Sequence, residues 1–134
     1  GKLEEEAAGC IRQADILEFL QCDSGKRMQE AARKQKLYRE QPFVLGVDAK
    51  ELYPEEEDGE LILIQGIIDA YFEEPDGLVV LDYKTDKVNN GKELAEKYQE
   101  QLRYYAKALE QISGKKVKEK IIYSFTLKKE IYIE

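Results

Sequence analysis

Three charged side chains interrupt two apolar runs, and their spacing makes them a group. Asp69 lies in the run 61–72, while Asp82 and Lys84 fall in and just after the run 78–83. Between the runs stands Glu74-Pro75-Asp76-Gly77. Pro sets the φ of a turn and Gly tolerates the position after it, so the sequence predicts a β-hairpin. Strand side chains alternate faces, so Asp82 and Lys84 share one face and Tyr83 points the other way. A turn with an even number of residues sets residue 73 opposite 78 and Asp69 opposite Asp82. A three-residue turn would set Asp69 opposite Tyr83, and the grouping would then need a bulge. Facing Cβ atoms lie roughly 4.5–5.5 Å apart. Two carboxylates that close repel unless a cation lies between them or one is protonated. A hard divalent cation such as Mg²⁺, which takes one or two carboxylates and keeps its waters, fills such a gap. Lys84 adds a positive charge beside it. The bland alternative is a charged cross-strand pair on a solvated face. Ile67, Ile68, Val79, Val80 and Leu81 speak against it, because they suggest strands buried on both faces.

Composition narrows the chemistry further. The chain of 134 residues suits one compact domain with a single core. There is no histidine, which excludes Ser-His-Asp and Cys-His catalysis and a histidine-ligated zinc within this sequence. Cys10 and Cys22 are too few and too far apart for a zinc knuckle or a disulfide framework, so they read as reduced thiols in a cytoplasmic protein. No apolar run reaches membrane-spanning length, and the first residues carry no signal-peptide pattern. A net charge of −7 argues against autonomous tight DNA binding, which needs a basic surface. It leaves room for a nuclease fed strand by a larger partner.

The elements that must position the three residues follow from periodicity. Residues 3–21 have helical composition, with a break near Asp15, and a second helical run covers 25–37. The cations of that run (Lys26, Arg27, Arg33, Lys34 and Lys36) are either a solvated face or phosphate contacts near the mouth of a site. Residues 39–52 read as the first strand, with Phe43, Leu45 and Val47 alternating. The acidic stretch 55–60 reads as a solvated turn. After the hairpin, Asn90 and Glu93 resemble a capping box. Leu94, Tyr98, Leu102, Tyr105, Leu109 and Ile112 then make one apolar helical stripe that ends at Gly114. Gln101 shares that buried side, where a lone amide needs partners. Tyr98 and Tyr105 read either as core aromatics with polar tips or as part of the site. Residues 115–120 look like a basic connection, 121–126 a strand, and 130–134 an edge strand or a disordered tail. The order is helices, three strands, helix, strand.

Gly66-x-x-Asp69 followed by Asp82-Tyr83-Lys84-Thr85 resembles the core of a PD-(D/E)XK nuclease. More narrowly, it is similar to the RecB-like nuclease domain of the AddA-type chain of AddAB-type ATP-dependent helicase/nucleases. Arg39-Glu40-Gln41-Pro42-Phe43 resembles the glutamate-bearing strand of that family. Tyr98-Gln99-Glu100-Gln101-Leu102 with Tyr105 resembles the helix carrying its Q-x-x-x-Y motif. The resemblance covers about residues 1–128. It implies an α/β fold, a restriction-endonuclease-like α-β-β-β-α-β core with a mixed central sheet flanked by helices. It also implies hydrolysis of a DNA phosphodiester with Mg²⁺ or Mn²⁺ held by Asp69, Asp82 and the main-chain carbonyl of Tyr83. Lys84 would orient or deprotonate the attacking water, or stabilise transition-state charge. Gln101 and Tyr105 would position substrate phosphate or water. Glu40 would lie at or near the metal, with an exposed strand-end glutamate as its alternative.

One departure stands out: the family carries a histidine ligand on a helix before the core, and this sequence has none. No phosphate-binding loop G-x-x-x-x-G-K-[ST] occurs either. The expectation is therefore a single nuclease domain, residues 1–134, from a longer helicase/nuclease that uses ATP elsewhere, acts on DNA and works with an AddB-type second subunit. The competing expectations are a non-catalytic RecB-like scaffold or DNA-end binder, and a free-standing small nuclease.

Overall fold

The computed structural model describes residues 12–55 and 59–134. Two helices come first, α1 (Gln13–Gln21) and α2 (Asp23–Arg33). Strand β1 (Leu37–Asp48) runs into a single helical turn, α3 (Ala49–Leu52). The hairpin follows as β2 (Leu61–Glu74) and β3 (Gly77–Lys84). Helix α4 (Gly91–Ser113) leads to β4 (Val117–Ser124) and β5 (Lys129–Ile133). The strands form one sheet in the order β1-β2-β3-β4-β5. Among the described residues only β3 and β4 pair in parallel, so α4 is the crossover that a parallel connection requires.

The hairpin loop is two residues, Pro75 and Asp76, and Glu73 pairs with Leu78 as the even turn demands. Helix α4 covers one face of the sheet. Leu94, Leu102 and Leu109 pack there against Leu45, Ile68, Val80 and Ile122. Helices α1 and α2 cover the other face, where Phe19, Met28 and Ala31 meet Phe72, Leu81 and Tyr123. Leu94, Leu102 and Leu109 are wholly buried because one helical stripe meets the sheet. Asn90 caps α4 by accepting the Glu93 N–H at 2.9 Å, and Gly114 closes it at φ 72, where glycine has no steric penalty.

Several boundaries differ from expectation. Helix α2 stops at Arg33 rather than residue 37. Gln35 turns to φ 60 and the Lys36 N–H reaches back to the Ala31 carbonyl at 2.8 Å, which frees Leu37 to pair with Phe72. Strand β1 ends at Asp48, whose carboxylate accepts the Lys50 N–H and caps α3. Strand β4 begins at Val117, inside the lysine-rich stretch that reads as a connection. Pairing with Leu78 and Val79 in the sheet interior overrides that composition. Residues 130–134 are mostly in the edge strand β5. Strand β2 is not buried on both faces along its length, since Ile67 is 59% exposed. Asp15 lies three residues into α1, where it accepts the Arg12 N–H. Cys22 is a free thiol whose sulfur caps α2. Cys10, the start of the first helical run and the centre of the acidic turn fall outside the described residues.

Candidate active site

The site forms where the β2–β3 ladder opens. Backbone pairing runs from Glu74–Gly77 to Ala70–Leu81 and stops there. The next opposed residues are Asp69 and Asp82. Instead of a ladder bond, the Tyr83 N–H donates to Asp69 Oδ2 at 3.0 Å, so this carboxylate stands between the two strands.

Strand β2 also changes face at this point. Ile68 belongs to the α4 side of the core and Ala70 to the α1–α2 side. Residues two apart in a regular strand point the same way, so the backbone is irregular at Asp69. The neighbouring strand shares the irregularity. Pairs Arg39–Ala70 and Gln41–Ile68 bracket Glu40, which lies across from Asp69 at φ 50. A left-handed conformation in a non-glycine residue costs about 1–2 kcal/mol and concentrates at functional positions. Glu40 is exposed and lines the same cavity as Asp69. The cavity, of about 620 Å³, has Phe19, Met28 and Phe125 in its walls and Arg39 beside Glu40.

Asp82 is 2% exposed and faces α4. Burial first, and then the adjacent Asp69, push its carboxyl up to about 7, against the opposing effect of Lys84. Lys84 Nζ lies 3.0 Å from Asp82 Oδ2 and donates to Gln101 Oε1 at 3.1 Å. The contact with Asp82 is an ion pair that lacks hydrogen-bond alignment, so among the described residues Asp82 Oδ2 has no donor. Tyr105 is buried, its ring edge-on to Phe43 at 5.4 Å between centroids. Burial raises its hydroxyl pKa, and the charges of Asp82 and Asp69 add to the rise, so it stays a donor facing the acids. Gly66 has a packing reason: a Cβ there would sit 2.8 Å from the Phe43 ring. Tyr83 points to the opposite face, its hydroxyl donating to Met28 Sδ at 3.3 Å and its ring edge-on to Phe19.

The structure thus brings together Asp69, Asp82, Lys84, Gln101 and the Tyr83 main chain, with Tyr105 and Glu40 at the margins. Sequence reasoning misses Asp86 and leaves Tyr98 between core and site. The Tyr98 ring lies 4.0 Å from Lys84 Nζ, and its hydroxyl donates to Asp86 Oδ2 at 2.9 Å. Their signal is position: Tyr98 is one helical turn before Gln101, and Asp86 is two residues after Lys84. Four cations of the second helical run, Arg27, Arg33, Lys34 and Lys36, have carboxylate partners away from the site. Arg27 is held by Glu74 and Glu119 at the hairpin end, while Arg33 and Lys34 pair with Glu30.

Among the described residues, no three His, Cys, Asp or Glu side chains form a ready-made cage for a metal. Two adjacent carboxylates, one with a buried oxygen short of a donor, still fit a hard cation that keeps most of its waters.

A mixed sheet that sets an acid on one strand beside an acid-x-lysine on the next defines a class. A family model described as the PD-(D/E)XK nuclease superfamily matches residues 4–132. The chain belongs to that superfamily, and its five-stranded sheet flanked by helices is the restriction-endonuclease-like core. Among curated proteins it is similar to the A-type chain of the ATP-dependent helicase/nuclease of Lachnoclostridium phytofermentans, 40% identical over 100% of this chain and 12% of that protein. The protein of the same name from Acetivibrio thermocellus is 46% identical over 92% of this chain and 10% of its own length. That of Thermoanaerobacter sp. strain X514 is 47% identical over the same shares. The chain therefore spans about a tenth of the length of these relatives.

Proposed function

We propose that the chain is the divalent-metal-dependent DNA-cleaving domain of a longer ATP-dependent helicase/nuclease that processes broken DNA ends for recombinational repair. The observation that supports this best is the meeting of Asp69, Asp82, Lys84 and Gln101 where the β2–β3 ladder opens. Asp69 and Asp82 would hold Mg²⁺ or Mn²⁺, with the Tyr83 carbonyl as a third oxygen and Glu40 across the strand. Such an ion supplies Lewis acidity and charge neutralisation at a phosphodiester. The chain's own groups do the rest. Lys84 offers a proton donor beside the acids, and Gln101 fixes its ammonium. Tyr105, held protonated, offers a second donor to a phosphate oxygen.

A net charge of −7 makes the domain a poor DNA binder by itself, so the strand is delivered by the motor of the parent protein. ATP acts only in that motor. The parent works with an AddB-type second subunit. As a DNA-processing machine, it acts in the cytoplasm. The isolated domain binds metal weakly and cleaves little or no DNA.

Asp82→Ala in the parent heterodimer tests the proposal. Mg²⁺-dependent cleavage falls on the order of 10³-fold while ATP-driven unwinding persists. Cleavage at the unmutated rate would show the domain to be a scaffold and overturn it.

A further inference from the structure

The Lys84 ammonium has partners on three sides: Asp82 Oδ2 at 3.0 Å, Gln101 Oε1 at 3.1 Å and the Tyr98 ring face at 4.0 Å. The ring is itself anchored. Its hydroxyl donates to Asp86 Oδ2 at 2.9 Å, and Lys97 Nζ reaches the same oxygen at 2.6 Å. Burial raises the Asp86 carboxyl, but the hydrogen bonds from Lys97 and Tyr98 outweigh it and hold it below the ordinary range. Asp86 is therefore a charged anchor.

A lysine side chain has four rotatable carbons and a compact, mobile charge. Left alone, the ammonium would be free to leave its short contacts with Asp82 and Gln101 for water. A ring face on the other side attracts the cation and blocks part of its volume. We infer that Tyr98, held by Asp86, is a positioning residue that keeps the Lys84 ammonium at the mouth of the site, between Asp82 and Gln101. This rests on the proposed function for its catalytic consequence, but the geometry stands independently of it.

Proton NMR of the 134-residue chain reads that geometry directly. Protons over an aromatic face are shifted upfield, so the Lys84 ε-methylene signal, assigned by its loss in Lys84→Gln, lies upfield of the other lysines. Tyr98→Leu returns it to the position of a free lysine. Tyr98→Phe keeps the ring but loses its bond to Asp86, so it keeps only part of the shift. Asp86→Ala frees the ring and reduces the shift. A purely structural role for Tyr98 would leave the Lys84 signal among the other lysines in the unmutated chain, and that result overturns the inference.

In the parent heterodimer, Tyr98→Leu lowers kcat about tenfold, as loss of a partly desolvated cation–π contact would, with KM for DNA unchanged; Tyr98→Phe, which keeps the ring without its anchor, restores part of it. An unchanged kcat in Tyr98→Leu, where Asp82→Ala abolishes cleavage, also overturns the inference. If Asp82→Ala has no effect, the proposed function fails instead, and the NMR shift alone decides whether Tyr98 holds Lys84.

Discussion

Asp82 is an acid that the fold disfavours in its charged form. Its carboxyl is pushed up to about 7 by burial, then by Asp69. A group whose pKa is raised on folding stabilises the fold fully below its unfolded pKa, near 3.8, and loses that contribution as pH rises through the folded value. Asp82→Asn keeps the shape and removes the charge. With chelator present at pH 8, its thermal midpoint exceeds that of the unmutated chain by an amount equivalent to about 1–2 kcal/mol. The gain shrinks as pH falls from 7 toward 4. A lower midpoint at pH 8 would show that the Asp82 charge is already compensated within the chain. The facing of Asp69 and Asp82 was legible on condition of an even turn, and the two-residue loop Pro75-Asp76 meets that condition. The face reversal of β2 at Asp69 was not, because nothing in Ile68-Asp69-Ala70 announces it. It coincides with Glu40 at φ 50 on the adjacent strand, a conformation that glutamate does not advertise.

Elements are joined here by a charge cluster as well as by the core. Arg27 of α2 grips Glu74 of β2 through Nε at 3.0 Å and Nη2 at 2.7 Å, and Glu119 of β4 at 2.8 Å. The hydrogen bond from Arg27 holds the Glu74 carboxyl near 2, against a smaller opposing effect of burial. A depressed pKa contributes stability above the ordinary glutamate range and loses it as pH falls through the folded value. Arg27→Met leaves Glu74 and Glu119 as neighbouring, partly buried charges. Urea unfolding at pH 7 shows a loss of about 1–2 kcal/mol, discounted for partial exposure, and a smaller loss at pH 3. Equal losses at both pH values would mean that Arg27 acts through packing on Phe72 rather than through charge. Helix α4 could be read from sequence end to end because its cap, stripe and terminal glycine all agree. The start of β4 could not, because Lys115, Lys116, Lys118 and Lys120 look like a loop. The neutral backbone that pairs with β3 has no signature in side-chain type.

At the scale of the molecule, the site belongs to no single element. Strands β2 and β3 supply the acids and the lysine, and α4 supplies Tyr98, Gln101 and Tyr105 from the far side of a crossover. The resemblance of four short motifs to the PD-(D/E)XK family implied this meeting; sheet pairing and the helical stripe alone left Tyr98 and Tyr105 open between core and site. Less was legible at the surface. Ile67, whose apolar side chain suggests burial, lies on an exposed face with Val44 and Leu63, since α1 and α2 do not extend over that part of the sheet. Every proposed functional step depends on Asp69 and Asp82 jointly holding a hard cation. Calorimetric titration of Mn²⁺ into the unmutated chain and into Asp69→Asn, at pH 8 with matched protein concentrations, tests that dependence. The unmutated chain gives a weak but saturable heat and Asp69→Asn gives only dilution heat. Equal heats from the two proteins would contradict the shared carboxylate site.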